Sequence, residues 1–211
     1  MEIMRDGHIP SVAEVAVRAQ VSRATAYRYF PSRSKLINAV VDESLGPVRS
    51  WRSTESDGRA RIKELFETNF PRMQTFEPQL RAALQLSLEH WAKERAGLLE
   101  EEPYRRGHRK KILAHAMQPL SSQLDAATSD RLKKALSMVF GIEPGVILKD
   151  IWGCSDKEVI AIVRWIVDAL LDSALNTESA KSPDAKRARP RNGVASPPAR
   201  RKREGEFGDV G

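Results

Sequence analysis

With 211 residues, of which 41% are hydrophobic and 30% charged, the chain is large enough for a globular core, which excludes wholesale disorder. Its formal net charge of +7 permits nucleic-acid binding without indicating it. Apolar runs stay below the roughly 18 residues of a membrane span, and the charged start Met1–Asp6 lacks the core of a signal peptide. Together with a single cysteine, Cys154, these features predict a cytoplasmic protein without membrane contact.

Three short helices are predicted at the start of the chain, each opened by a serine in the capping position. The first begins at Ser11, which forms a capping-box pattern with Glu14. The second begins at Ser22 and the third at Ser32, directly after the helix-breaking Pro31.

Longer helices follow, each with apolar residues at helical spacing. Their apolar stripes span 62–73, 80–91, 113–124, 132–152 and 159–174. Pro144 and Gly145 should kink or split the fourth, and Ser155 with Glu158 caps the last. No sustained alternation indicates strands, so the predicted fold class is all-α.

The second short helix has the composition of a helix that reads DNA. In a helix-turn-helix, the second helix lies in the major groove and presents its side chains to base edges. Arg23 and Arg28 can bind guanine bidentately or neutralise phosphates, and Thr25 and Tyr27 offer hydroxyls to phosphate oxygens. Small Ala24 allows a close approach and contact with a thymine methyl. A surface helix with solvated arginines fits this composition equally well.

A longer motif surrounds that helix: SVAEVA at 11–16, VSRATAYRYFPSR at 21–33, and Leu36. Through these residues, 11–41 strongly resemble the tetracycline-repressor (TetR) family. The resemblance implies a helix-turn-helix DNA-binding domain, here 1–48, and a helical effector-binding and dimerisation domain, here 49–176. It further implies a transcriptional regulator, usually a repressor relieved by a small ligand. Such a protein binds a palindromic double-stranded DNA operator as a homodimer, here through its last two helices at about 129–175.

The resemblance also implies roles for individual residues. Positions that commonly face bases or nearby backbone are Arg23, Ala24, Tyr27, Arg28 and Tyr29. Thr25 and Tyr27 match phosphate contacts, as does Arg33 at the start of the next helix. The sequence shows no catalytic constellation, metal-ligand spacing or cofactor motif, so we expect no enzyme activity, metal or cofactor.

The chain departs from the family pattern in two places. Gln20 stands where the family usually has glycine, which costs roughly 1 kcal/mol if the turn needs a left-handed residue. The family's first helix is represented only by Met1–Asp6, so either the true start lies upstream or the domain has lost that supporting helix. The loss would favour an alternative function: a dimeric helical ligand-binding or interaction protein without specific DNA binding.

An effector cavity is expected within residues 60–150, which are rich in large apolar side chains. Its candidate lining residues are Phe66, Phe70, Leu84, Leu88, Trp91, Met117 and Phe140. Such a pocket would favour a small apolar or aromatic effector, although each residue is also typical of plain core.

The chain also contains two charged segments outside the predicted helices. The acidic run Glu100–Glu102 is expected to be a solvated loop. From Thr177 the apolar pattern stops, and we predict a disordered basic tail over 177–211. As a polycation the tail would add salt-sensitive DNA affinity; as an unselected extension it would do nothing.

Overall fold

The computed structural model describes residues 2–4, 8–104 and 107–181, and in this part of the chain it contains helices and no strand, which confirms the all-α prediction. The α-helices are α1 (Val12–Arg18), α2 (Arg23–Tyr29), α3 (Arg33–Leu45), α4 (Gly58–Thr75), α5 (Glu77–Arg95), α6 (His108–Ala116), α7 (Ala126–Val139), α8 (Glu143–Trp152) and α9 (Asp156–Lys181). Short 3₁₀ turns lie at Glu2–Met4, Gly46–Ser50 and Gln118–Leu120. None of the described helices is long and apolar enough to cross a bilayer.

The three N-terminal helices begin directly after the serines that the sequence predicted. Ser11 forms a complete capping box, because its backbone N–H donates to the Glu14 carboxylate at 2.7 Å and its hydroxyl accepts from the Glu14 N–H at 3.2 Å. The hydroxyls of Ser22 and Ser32 cap α2 and α3 in the same way. Local sequence therefore determines where these helices start.

Two boundaries were predicted in the C-terminal part of the chain: a break at Pro144 and the end of the last helix. Pro144 does split the long apolar segment, since it lies in the first turn of α8, where its missing N–H is tolerated. The tail was predicted to begin at Thr177, but α9 continues to Lys181. The remainder of the predicted tail, 182–211, lies outside the described residues.

Helix α3 connects the N-terminal helices to the larger helical body. On one face, Leu36 joins a small core with residues of α1 and α2. On the other, Ile37 and Val41 join a second core with Leu80 and Leu86 of α5. The body has its own core, formed mainly by α4, α6, α7 and α9. Any movement of α3 against α5 will therefore move the first two helices as well.

Both ends of α3 are bonded to the body. At the C-terminal end, the Arg72 guanidinium of α4 donates to the carbonyl of Ser44 at 2.7 Å and to that of Glu43 at 2.6 Å. These carbonyls belong to the last turn, where no helical partner is available, so a cation there is favourable. The contacts at the N-terminal end belong to the candidate site.

Candidate nucleic-acid interface

A tight turn between α1 and α2 sets the orientation of α2. Gln20 has a φ of 55° and is the one non-glycine residue in the described ranges with a left-handed backbone. The N–H of Val21 donates to the carbonyl of Ala16 at 3.0 Å, and that of Gln20 to Val17 at 3.2 Å. This is the Schellman pattern that ends a helix with one left-handed residue. The position thus has the geometry for which glycine is suited, as the family pattern indicated.

Helix α2 turns one small residue inward and most of its polar and aromatic side chains outward. Ala26 is buried in the small core with α1. Arg23, Ala24 and Arg28 are exposed. Tyr27 and Tyr29 are 46% and 69% exposed, so both aromatic rings are available at the surface.

The predicted contact residues of α2 are therefore accessible together. The Arg28 guanidinium lies 5.4 Å from the centre of the Tyr29 ring, a cation–π distance that restrains both side chains. Thr25 is half-buried, and its hydroxyl is hydrogen-bonded to that of Ser22 at 2.8 Å. Thr25 thus reinforces the helix cap, and a phosphate would have to share that hydroxyl.

Residues 10–40, which span α1, α2 and most of α3, match the family model described as "Bacterial regulatory proteins, tetR family". Residues 10–40 therefore have the sequence of a tetR-family DNA-binding segment. Searches of curated proteins and of solved structures returned no match. The family prediction is confirmed, and α1 and α2 are the helix-turn-helix of a DNA-binding transcriptional regulator.

Arg33 is the first residue of α3, but its side chain points to protein groups. The guanidinium donates to the carbonyl of Ile9 at 3.0 Å and approaches the Glu89 carboxylate at 3.5 Å. Ile9 is buried, and Glu89 lies on α5. A phosphate contact by Arg33, as predicted, therefore requires it to share or exchange these partners.

Sequence reasoning missed a carboxylate at the same helix end. The Ser34 N–H donates to the Glu101 carboxylate at 3.2 Å, and Lys35 lies 3.5 Å from Glu102. The side chain of Glu101 is only 26% exposed, so the prediction of a fully solvated acidic loop is wrong at this residue. Residue spacing could not reveal the contact, because 67 residues separate the partners.

An apolar cavity of about 70 Å³ lies where α3 meets the body. Its walls include Val41 and Leu45 of α3, Met73 of α4 and Leu80 of α5. One polar group inside it stands out: Asn69 is 2% exposed, and its Oδ1 has no hydrogen-bond partner within the described part of the chain. A buried amide oxygen without a donor is costly, so this cavity suits a molecule that carries one.

The seven predicted pocket residues are not gathered at this cavity. Phe140 lines it, whereas Phe70 lines a neighbouring one. Phe66 and Met117 are core residues, and Leu84 faces an open groove on α5. Leu88 and Trp91 are 61% and 62% exposed, so they are surface residues and the prediction that they line a cavity is wrong.

The error lies in the register assigned to α5. This helix carries two apolar stripes, and the buried one contains Leu80, Ala83 and Leu86. Leu84 and Leu88, which belong to the other stripe, fit helical periodicity equally well. Periodicity alone could not decide which stripe faces the body.

Proposed function

We propose that this regulator binds a palindromic operator as a homodimer and represses transcription until a small apolar or aromatic effector that carries one hydrogen-bond donor releases it. The observation that carries the proposal is the exposed face of α2, whose arginines and tyrosines stand on a helix fixed by a cap, a tight turn and a buried alanine. Arginine and tyrosine on the second helix of a helix-turn-helix suit guanine edges and phosphates.

Exposed apolar side chains on the last two helices support the homodimer. On α8, Ile147 and Ile151 are 52% and 73% exposed and lie one turn apart, and Trp152 follows them. On α9, Trp165 is 71% exposed. Large apolar groups in this number mark an interaction surface, and a two-fold pair would present two reading helices to half-sites about 34 Å apart.

The position of the cavity supports effector control. Its volume of about 70 Å³ is well below the several hundred Å³ of a typical ligand pocket. A ligand larger than a few heavy atoms would therefore push the walls apart, and Val41 and Leu45 would carry α3 with them. Because α3 is packed against both helical units, that shift would reorient α2.

Replacing Tyr27 with alanine tests the DNA-binding part. DNA ligands are first selected from a random duplex library with the full chain and verified by footprinting. Tyr27→Ala should then lose specific binding by roughly tenfold or more, consistent with about 1–3 kcal/mol for one contact. Trp91→Ala, which removes an exposed aromatic ring from α5, should leave binding unchanged. Failure to select any saturable, competitor-resistant site would overturn the proposal.

A pair of small aromatic probes tests the cavity. Phenol adds one hydroxyl to benzene, and the free Oδ1 of Asn69 can accept its hydrogen bond. Phenol should therefore raise the midpoint of thermal unfolding more than benzene does. Asn69→Leu should abolish the difference, whereas the volume-conserving Met73→Leu should keep it. Equal effects of the two probes on the wild-type chain would contradict a donor-carrying effector.

A further inference from the structure

Glu101 and Glu102, which follow α5, lie at the start of α3 and meet its hydrogen-bond donors. The Ser34 N–H, which has no partner within the helix, donates to Glu101 at 3.2 Å. The Lys35 ammonium lies 3.5 Å from Glu102, and the Arg33 guanidinium 3.5 Å from Glu89. Three successive residues of α3 thus each face a carboxylate from the body.

The carboxylate of Glu101 is also contacted by a buried histidine, on the oxygen that does not bind Ser34. The Nδ1 atom of His90 accepts a hydrogen bond from the Tyr104 N–H at 3.1 Å, so a neutral ring carries its proton on Nε2. That Nε2 atom lies 3.4 Å from the other carboxylate oxygen of Glu101. His90 is 3% exposed, so its position is fixed by packing. Although burial raises it, hydrogen bonds from Ser32 and Ser34 and the nearby His90 bring the pKa of Glu101 below its usual value.

The donors at the start of α3, two of which are occupied by Glu101 and Glu102, have the chemistry of a phosphate site. Backbone N–H groups at a helix start, together with an arginine and a lysine, bind phosphate oxygens through geometry and charge. A carboxylate on the same donors must leave before a phosphate can enter. Two anions cannot share one Ser34 N–H at hydrogen-bond distance.

We propose that Glu101 and Glu102 form an acidic latch, an internal phosphate mimic that covers the start of α3 in the DNA-free protein and is displaced by the operator backbone. The proposal rests on the proposed function, because it requires the start of α3 to contact DNA. Only molecules with an open latch can bind DNA, so the apparent DNA affinity equals the affinity of the open form multiplied by the open fraction. It also holds the helix-turn-helix against the body when no DNA is bound.

Three neighbouring glutamates provide a matched test. Glu101→Gln and Glu102→Gln remove the charges that meet α3, and Glu100→Gln removes the same charge from an exposed neighbour. Binding of each full-length variant to one fluorescein-labelled duplex from the random library is measured by anisotropy at increasing KCl. At low salt, Glu101→Gln should bind roughly tenfold more tightly if about 90% of free wild-type molecules are latched. Glu102→Gln should gain less, because both members of its pair are exposed, and Glu100→Gln should match wild type.

Two further measurements distinguish a latch that opposes DNA binding from a contact that only stabilises the fold. The Ser34 amide should exchange its hydrogen faster in DNA-free Glu101→Gln than in wild type, and the midpoint of thermal unfolding should fall slightly. A latch therefore predicts lower stability with tighter DNA binding. The advantage over wild type should shrink as salt weakens the Lys35–Glu102 and Arg33–Glu89 pairs of the wild-type chain.

Other outcomes overturn the proposal. Weaker DNA binding by Glu101→Gln would show that the residue supports the binding geometry. Equal gains in all three variants would show a general charge effect. Because Glu102 is exposed, Glu102→Gln keeps the test valid even if Glu101→Gln misfolds; in that case, unchanged affinity in Glu102→Gln counts against the latch. If neither wild type nor variants bind any duplex at low salt, the proposed function itself fails, and the latch with it.

Discussion

Gln20 replaces the glycine of the family pattern at a position whose backbone angle makes the replacement costly in stability. Its φ of 55° lies in the region that disfavours residues with a β-carbon. The two backbone hydrogen bonds of the turn require this angle, so the side chain cannot relieve it. The sequence alone could state the cost only conditionally, because it did not show whether the turn was left-handed.

Replacing Gln20 with glycine should therefore stabilise the chain. We expect Gln20→Gly to raise the free energy of unfolding by roughly 1 kcal/mol, measured by urea titration. Gln20→Ala is the control, since it removes the same polar atoms but keeps the β-carbon, and it should stay near wild type. A glycine variant no more stable than the alanine variant would show that the turn relaxes without strain.

Glu101 illustrates what residue-by-residue reasoning could not reach. Three consecutive glutamates indicate a solvated loop, and Glu100 and Glu102 are indeed exposed. The environment of Glu101 depends on Ser34 and His90, which come from distant elements. Only the fold brings those groups together, so sequence spacing could not identify this carboxylate.

At the scale of elements, helix starts were the most predictable feature. Ser11, Ser22 and Ser32 each cap their helix through a bond to an N–H three residues later, which is a local interaction. The sequence could not show which of the two apolar stripes of α5 is buried, because that depends on the surface that packs against the helix. The candidate DNA-reading surface was predictable because one local segment, α2, carries most of it.

The capping box of α1 should make this helix sensitive to acid. Hydrogen bonds from the backbone and hydroxyl of Ser11, with a contribution from His8, lower the pKa of Glu14 from 4.5 to about 2. A folded-state pKa below the unfolded value means that the stabilisation is full above about pH 4.5. It is lost as the pH falls toward 2.

An NMR titration of the Glu14 side chain checks this prediction. The carboxyl should titrate near pH 2 in wild type. In Ser11→Ala, which retains the backbone N–H but removes the hydroxyl, the pKa should move part of the way back toward 4.5. A wild-type midpoint near 4.5 would contradict a formed capping box in solution.

At the scale of the whole molecule, the proposed regulation depends on the contacts that hold α3. Arg72 bonds the C-terminal end of α3, the proposed acidic latch covers its N-terminal end, and the cavity lies against its C-terminal half. An effector at the cavity and DNA at the latch would therefore act on the same rigid element. Such an arrangement couples two sites without any contact between the ligands.

The proposed dimer gives the last prediction at this scale. Trp165 is exposed on α9, with Ala161, Ile162 and Ala169 within about one turn, so a second copy could approach the tryptophan closely. Burial of an exposed tryptophan at an interface is commonly worth about 2 kcal/mol or more. Trp165→Glu also brings a charge from each copy into the proposed interface, so it should raise the dimer Kd by roughly 30-fold or more.

Sedimentation across a concentration series measures this effect. Trp91→Glu, which adds the same charge at an exposed tryptophan on α5, should leave the dimer intact. Specific DNA affinity should fall in the Trp165 variant, because a monomer occupies one half-site and loses the binding energy of the other. Its affinity for a single half-site should stay at the wild-type level, since α2 is untouched. If Trp165→Glu remains dimeric and still binds the full operator, the interface must lie elsewhere on the molecule.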